Sequence, residues 1–440
     1  MRDLGLGRLA WNAFGTFTRQ VGAGLLSLAS AAIIARFYGP ESNGIYNLVL
    51  LLPGMLATFL SMGIGSANVF YVGSGQVSIR KATSVSLGLG GCLSVLGLMV
   101  GGLLVFWYGD LFFPGVKPVF LWISLVAFPL VLITGYIAAI FQGLQKFGIY
   151  NRLMLLQPSL FLLTVVVLYL SDISGLSYLV LGYVLTCLVT LIYALITVSL
   201  LAKTDKAPVG ERYLRSLISY GWKSNVGAIL GYANYRADIF LVNFFMSPVA
   251  TGVYAISVLL VEKLWVLSSA ISTVLLPRLA ELSSDEAKRK ELTPVISRFV
   301  FVFTLLAGLI VFMLSKHLVM TIFGADYGGS ISPLVLLIPG VVLLGVAKVW
   351  ANDLAARGRP ELNMYTSFVT LIINVVGNVV LIPRYGLSGA AVATTLSYAV
   401  CSVITLYFYL SLSKNHWFKM FLPVYSDYLF LKQMYRREGI

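Results

Sequence analysis

Stretches of about 20 or more mostly apolar residues succeed one another along this chain with almost no charge inside them, and that pattern fixes the solvent. A helix needs about 20 such residues to cross the roughly 30 Å hydrocarbon core of a bilayer. Runs of this kind lie near 10–36, 44–72, 82–108, 118–141, 153–171 and 177–201, and again near 216–243, 252–277, 299–322, 332–355, 362–382 and 387–412. Only 11% of the 440 residues are charged and 59% are hydrophobic, whereas soluble domains carry about 25% charged residues. No soluble architecture hides so much apolar surface, which excludes a soluble enzyme, a secreted disulfide scaffold and a disordered chain. The pattern predicts an all-α polytopic membrane protein with twelve transmembrane helices, six on each side of the polar stretch 202–208.

Charge in the connecting segments predicts the orientation. One side collects Arg80, Lys81, Lys146, Lys203, Lys206, Arg278, Lys288, Arg289, Lys290, Arg357, Arg359 and others, while the opposite loops hold Arg36, Lys117, Lys316 and Arg384. Lys and Arg accumulate in cytoplasmic loops, so both termini are expected in the cytoplasm, in a multi-pass cytoplasmic-membrane protein. The net charge of +14 is read as this bias and not as a nucleic-acid footprint. Asn12, Thr16, Arg19 and Gln20 interrupt any compact apolar core before Ala29-Ser30-Ala31, so no cleaved signal peptide is expected. Cys92, Cys187 and Cys401 lie in apolar runs without metal-ligand spacing, and His317 and His416 stand far apart; neither a metal site nor a cofactor is expected.

An internal repeat organises the chain. Phe37-Tyr38-Gly39-Pro40, followed by Gly44 and Tyr46, recurs 208 residues later as Phe245-Met246-Ser247-Pro248, followed by Gly252 and Tyr254. Gly175-Leu176-Ser177 recurs as Gly386-Leu387-Ser388, 211 residues on. Two matches at nearly one offset imply duplicated halves, and an even number of helices per half gives two six-helix bundles related by a pseudo-two-fold axis along the membrane normal. The expected units are 1–201 and 216–412 as bundles, 202–215 as a cytoplasmic linker and 413–440 as a basic, aromatic tail on the membrane surface.

Several segments carry a family resemblance. Ala35-Arg36-Phe37-Tyr38-Gly39-Pro40-Glu41-Ser42-Asn43-Gly44-Ile45-Tyr46 resembles the first hairpin of polysaccharide transporters in the multidrug/oligosaccharidyl-lipid/polysaccharide flippase superfamily. Gln142-Gly143-Leu144-Gln145-Lys146-Phe147, Leu276-Pro277-Arg278-Leu279 and Gly386-Leu387-Ser388-Gly389-Ala390-Ala391 are similar in order and spacing. The subgroup most resembled is the Wzx-type O-antigen flippases. The resemblance implies flipping of a polyprenyl-pyrophosphate-linked oligosaccharide across the cytoplasmic membrane for surface polysaccharide biosynthesis, beside polymerases or glycosyltransferases as partners, and no enzymatic activity.

Ionisable side chains inside spans cost about 2.5–3.5 kcal/mol each and must face protein or a water-filled cavity. On the first helix Asn12, Thr16, Arg19, Ala23, Ser27 and Ser30 share one stripe; on the seventh, Asn225, Tyr232, Arg236 and Asn243 do the same. The tenth adds Lys348, with Gly345 and Asn352 on its side. Arg19, Arg236 and Lys348, with Asn225, Tyr232 and Asn352, are the expected substrate-binding lining for a pyrophosphate or acidic sugar, which a planar guanidinium pairs two oxygens at a time. The alternative at each position is helix locking against Asp238, Glu262 or Asp353, the three carboxylates within spans. Those three are also the candidates for coupling to H+ or Na+. Two further readings are a drug/cation antiporter of the same superfamily and a non-transporting scaffold for polysaccharide enzymes. Five cations within spans against three carboxylates oppose the antiporter.

Overall fold

The structure is a computed structural model that describes residues 6–203, 213–266, 268–271, 275 and 286–421. The path is helical throughout these residues: α1 (Leu6–Phe59), α2 (Ile64–Gly73), α3 (Ile79–Phe112), α4 (Pro118–Leu125), α5 (Ala127–Gly143), α6 (Phe147–Leu170), α7 (Leu176–Ala202), α8 (Tyr213–Phe245) and α9 (Pro248–Glu262). After the interrupted segment come α10 (Glu286–Leu318), α11 (Ile331–Ala356) and α12 (Pro360–Ser413), with one wide π-turn at Val319–Phe323. Helix starts follow local chemistry. Ser247 accepts the Ala250 N–H at 3.2 Å and Pro248 occupies the first turn of α9; Ser78 accepts the Lys81 N–H at 3.2 Å to begin α3.

The span count corrects the expectation. Among the described residues, eight helices are long and apolar enough to cross a membrane, not twelve arranged as two six-helix bundles. Two expected pairs are each counted once, because in α1 and α12, 54 residues each, two helices follow directly on one another across a kink at a non-helical glycine, Gly39 (φ 76°) and Gly386 (φ 57°). Both torsions lie where a side chain is strained, so glycine lets the chain turn without a loop. Two other expected spans drop out. The seventh is diluted by Lys223, Arg236, Asp238 and six asparagines or serines along α8. The eighth is described in full only over the 15 residues of α9, roughly 22 Å at 1.5 Å per residue against a core of roughly 30 Å, since residues 267, 272–274 and 276–277 of that span lie outside the described residues.

The lipid-facing surface is explicit on α3, where Val95, Met99, Phe106 and Trp107 are each more than 60% exposed. Water would not tolerate that band, so the chain is a multi-pass membrane protein. Inside, the apolar side chains form two cores, one built from residues 34–217 and one from residues 239–420 plus Ala35. Helix α1 belongs to both, with Ile34 in the first and Ala35 in the second.

The repeated motifs meet each other. A Cβ added at Gly44 would overlap the Pro248 carbonyl, and one added at Gly252 would overlap the Pro40 carbonyl. Each Pro-x-x-x-Gly copy thus presents the carbonyl that the other copy's glycine accommodates. Most of the expected linker, residues 204–212, lies outside the described residues, as do Leu276-Pro277-Arg278-Leu279 and tail residues 422–440. The described start of the tail folds back: Phe421 packs edge-on against Phe301 and Trp350, and Arg298 donates to the Lys419 carbonyl at 2.5 Å.

Candidate functional site

Three helices supply the walls of a central cavity. Beyond its bend, α1 turns Asn47, Leu50 and Leu51 inward; α8 contributes Tyr232, Arg236 and Ile239; α9 contributes Ala255, Val258, Leu259 and Glu262. The spacings of three and four residues put each set on one helix face. Together they enclose about 320 Å³. Arg236 Nη1 lies 3.3 Å from Glu262 Oε1, with the two side chains 35% and 25% exposed, so the ion pair borders the cavity and is not sealed in packing. The Tyr232 hydroxyl donates to the Leu51 carbonyl at 3.2 Å and ties α8 to α1.

A second cavity of about 240 Å³ adjoins the first, sharing Asn47, Ala255 and Leu259. Its remaining walls come from Ser27, Ser30, Ala31, Ile34, Asn43 and Tyr46 of α1, Gln157, Pro158 and Phe161 of α6, Tyr183 of α7 and Ile256 of α9. No charged side chain lines it, although Lys263 Nζ reaches Ser27 Oγ at 3.0 Å on its wall.

Both cavities lie between two close helix contacts. At the hairpin end are the Gly44–Pro248 and Gly252–Pro40 contacts, with Asn43 donating to the Gly252 carbonyl at 3.1 Å. Arg36 there donates to the carbonyls of Thr321 and Ile322, two groups of the π-turn, and Tyr327 donates to the Ala35 carbonyl at 3.3 Å. At the far end, Cβ atoms added at Gly63 or Gly221 would overlap the facing backbone. Ser61 donates to Asn225 Oδ1 at 2.5 Å, and Asn225 Nδ2 donates to the Phe59 carbonyl at 3.2 Å.

The nine expected site residues separate into groups. Tyr232, Arg236 and Glu262 come together on the larger cavity. Asn225 is buried in the far-end contact. The Arg19 guanidinium sits over the Tyr150 ring at 5.6 Å, and Lys348 Nζ over the Trp265 ring at 4.1 Å; neither lines a cavity. Asn352 is half-buried one turn beyond Lys348 and lines neither cavity. Asp238 is buried and accepts from the Tyr254 hydroxyl at 2.9 Å, the Ile239 N–H at 2.8 Å and the Thr394 hydroxyl at 3.4 Å. Asp353 accepts from Thr293 at 2.6 Å and pairs with Arg357, which also bonds Glu286 at 2.8 Å. Among the described residues, no group of three or more His, Cys, Asp or Glu side chains is placed to hold a metal.

Sequence reasoning missed Asn47, Gln157, Tyr46 and Tyr183. The available signal was polarity inside apolar runs: Asn43 and Asn47 one turn apart behind Pro40, and Gln157 beside Pro158.

Comparison with known proteins places this geometry. A family profile described as Polysaccharide biosynthesis protein matches residues 33–332. The chain is 28% identical over 195 residues to the probable low-salt glycan biosynthesis flippase Agl15 of Haloferax volcanii, an alignment covering 43% of this chain. It spans only 41% of the length of that relative. The similarity to the putative O-antigen transporter of Shigella flexneri is 21% over 411 residues, covering 91% of this chain and 96% of the transporter. In three dimensions the chain is similar to the lipid II flippase MurJ in its inward closed conformation, with a TM-score of 0.73, 14% identity, and coverage of 91% of this chain and 87% of that one. At that identity the likeness establishes the fold.

Proposed function

The chain belongs to the polysaccharide biosynthesis protein family, and from that premise we propose that it flips a polyprenyl-pyrophosphate-linked oligosaccharide across the cytoplasmic membrane by alternating access. The observation that carries the reading is the Arg236–Glu262 pair on a cavity walled jointly by α1, α8 and α9. A guanidinium that already holds a carboxylate at 3.3 Å can exchange it for two pyrophosphate oxygens without being left unpaired in the empty state. Tyr232, one turn away on the same face, adds a hydroxyl. The headgroup thus rests on Arg236 and Tyr232, while the lipid tail stays in the bilayer between helices. Both termini face the cytoplasm in this reading, where polymerases or glycosyltransferases would meet the protein. Asp238, Glu262 and Asp353 are the carboxylates available for coupling to H+ or Na+. Asp238 is the one of the three that no ion pair holds among the described residues.

The test is headgroup translocation in proteoliposomes with a fluorescent polyprenyl-pyrophosphate oligosaccharide. Wild type should move it, and Arg236→Gln should lower the rate roughly ten- to hundredfold, the scale of one charged hydrogen bond of about 1.5–3 kcal/mol. Glu262→Gln should retain headgroup binding. A wild type that moves no lipid but expels a cationic dye supports the antiporter instead; movement of neither by folded protein supports the scaffold.

A further inference from the structure

The smaller cavity has a chemistry of its own. Its polar side chains are amides and hydroxyls, from Asn47, Gln157, Ser27 and Tyr183, and its aromatic wall is continuous. Tyr46 and Phe161 stack at 5.7 Å with ring planes 5° apart, and Tyr183 meets Phe161 edge-on at 5.7 Å. The Gln157 carboxamide makes no hydrogen bond to any described residue, although it points into a void inside a membrane protein. Its donor and acceptor are therefore free for a ligand that enters the cavity.

A ligand matched to this wall is neutral, has hydroxyls around its rim and presents a C–H face to the rings. That describes a pyranose and argues against a phosphate, which needs cations, and against a lipid tail, which needs no amides. The cavity's 240 Å³ leaves room for a small polar ring.

Resting on the flippase reading above, we propose that this cavity is a sugar subsite, which takes the sugar ring next to the pyrophosphate while Arg236 holds the pyrophosphate in the larger cavity. The two cavities share Asn47, Ala255 and Leu259 in their walls, so they lie side by side, as two adjoining groups of one ligand require. Gln157 and Asn47 supply hydrogen bonds to ring hydroxyls, and the Tyr46–Phe161 stack receives the C–H face. Selectivity between sugars then lies with α6 and α7, and affinity for the common lipid pyrophosphate lies with α8.

The experiment measures binding by native mass spectrometry of the purified full chain. The probes are bare polyprenyl pyrophosphate and the same lipid carrying one hexose or one N-acetylhexosamine. Wild type should prefer at least one glycosylated lipid, and Gln157→Leu should erase that preference, a change of roughly tenfold for one or two hydrogen bonds, while leaving the bare lipid's affinity unchanged. Arg236→Gln should weaken all three probes together. Tyr183→Phe, which deletes only a hydroxyl, provides the same comparison if Gln157→Leu lowers the melting temperature. Equal wild-type affinity for all three lipids, or an equal loss on bare and glycosylated lipid in Gln157→Leu, overturns the subsite and leaves the flippase reading standing. A wild type that binds none of the three overturns both.

Discussion

The two ends of the cavity are closed in different ways. At the hairpin end the contact is reciprocal: Gly44 faces the Pro248 carbonyl and Gly252 faces the Pro40 carbonyl, and side chains from remote segments reinforce it through backbone carbonyls. At the far end one glycine pair, Gly63 and Gly221, does the closing, and the bridging side-chain bonds come from two α8 residues, Asn225 to Ser61 and Phe59 and Tyr213 to Asn68. A contact made twice by the same motif cannot be half open. A contact resting on one glycine pair and two side chains can be loosened by a smaller change. The far end is therefore the easier one to unlatch, and the substitutions that follow separate the two.

The largest effect belongs to Gly44→Val. Its Cβ would overlap backbone that no side-chain rotation can relieve, an insertion that costs about 1–3 kcal/mol or more. The hairpin end should be held open, so that a cysteine at position 47 in a cysteine-free chain reacts with an impermeant maleimide supplied from that side. Gly252→Val should do the same, and the double variant should add little to either single one, because both break one contact. Additive effects would show that the two glycines act separately and would remove the reciprocity.

Gly221→Val should open the opposite end, with labelling at position 47 gained from the other face of the membrane and lost from the hairpin side. Labelling from the hairpin side would mean that the two ends open together, which alternating access forbids. The smallest effect is expected from Asn225→Ala. It removes the bonds to Ser61 and Phe59 without adding bulk, worth about 1–3 kcal/mol, and should raise far-end labelling roughly tenfold with thermal stability little changed. An unchanged labelling rate would put the closure on the glycines and the Tyr213–Asn68 bond.

Much of this was legible in the residues, and the limits have physical causes. Apolar runs and scarce charge identify the solvent, and the Pro-x-x-x-Gly repeat identified the segments that now touch. The span count was not legible, because Gly39 and Gly386 read as the end of one span and a loop before the next, whereas two helices join there directly across a single kinked residue. Helical periodicity found the stripe on α8, but it locates a face and not the neighbour that covers it. Asn225 and Arg236 share that stripe, yet 11 residues separate them, roughly 16 Å at 1.5 Å per residue, and this distance carries Asn225 from the cavity into the far-end contact. Arg19 occupies the matching stripe of α1 but meets Tyr150 of α6, because the covering element differs between the two halves. The smaller cavity was visible only in part: Ser27 and Ser30 lie on the stripe read along α1, whereas Gln157 of α6 and Tyr183 of α7 are single polar side chains that form no pattern on their own helices.

The bond from Arg36 also has a consequence for biogenesis. Its acceptor, the Ile322 carbonyl, lies 286 residues farther along the chain. At the usual pace of synthesis, about 5–20 residues per second, that carbonyl leaves the ribosome on the order of 15–60 s after the arginine does. Until then the first helix waits in the bilayer with a charged side chain lacking its final partner. The segment translated earliest is thus among the last to reach its native contacts, and truncation before residue 322 leaves it without them.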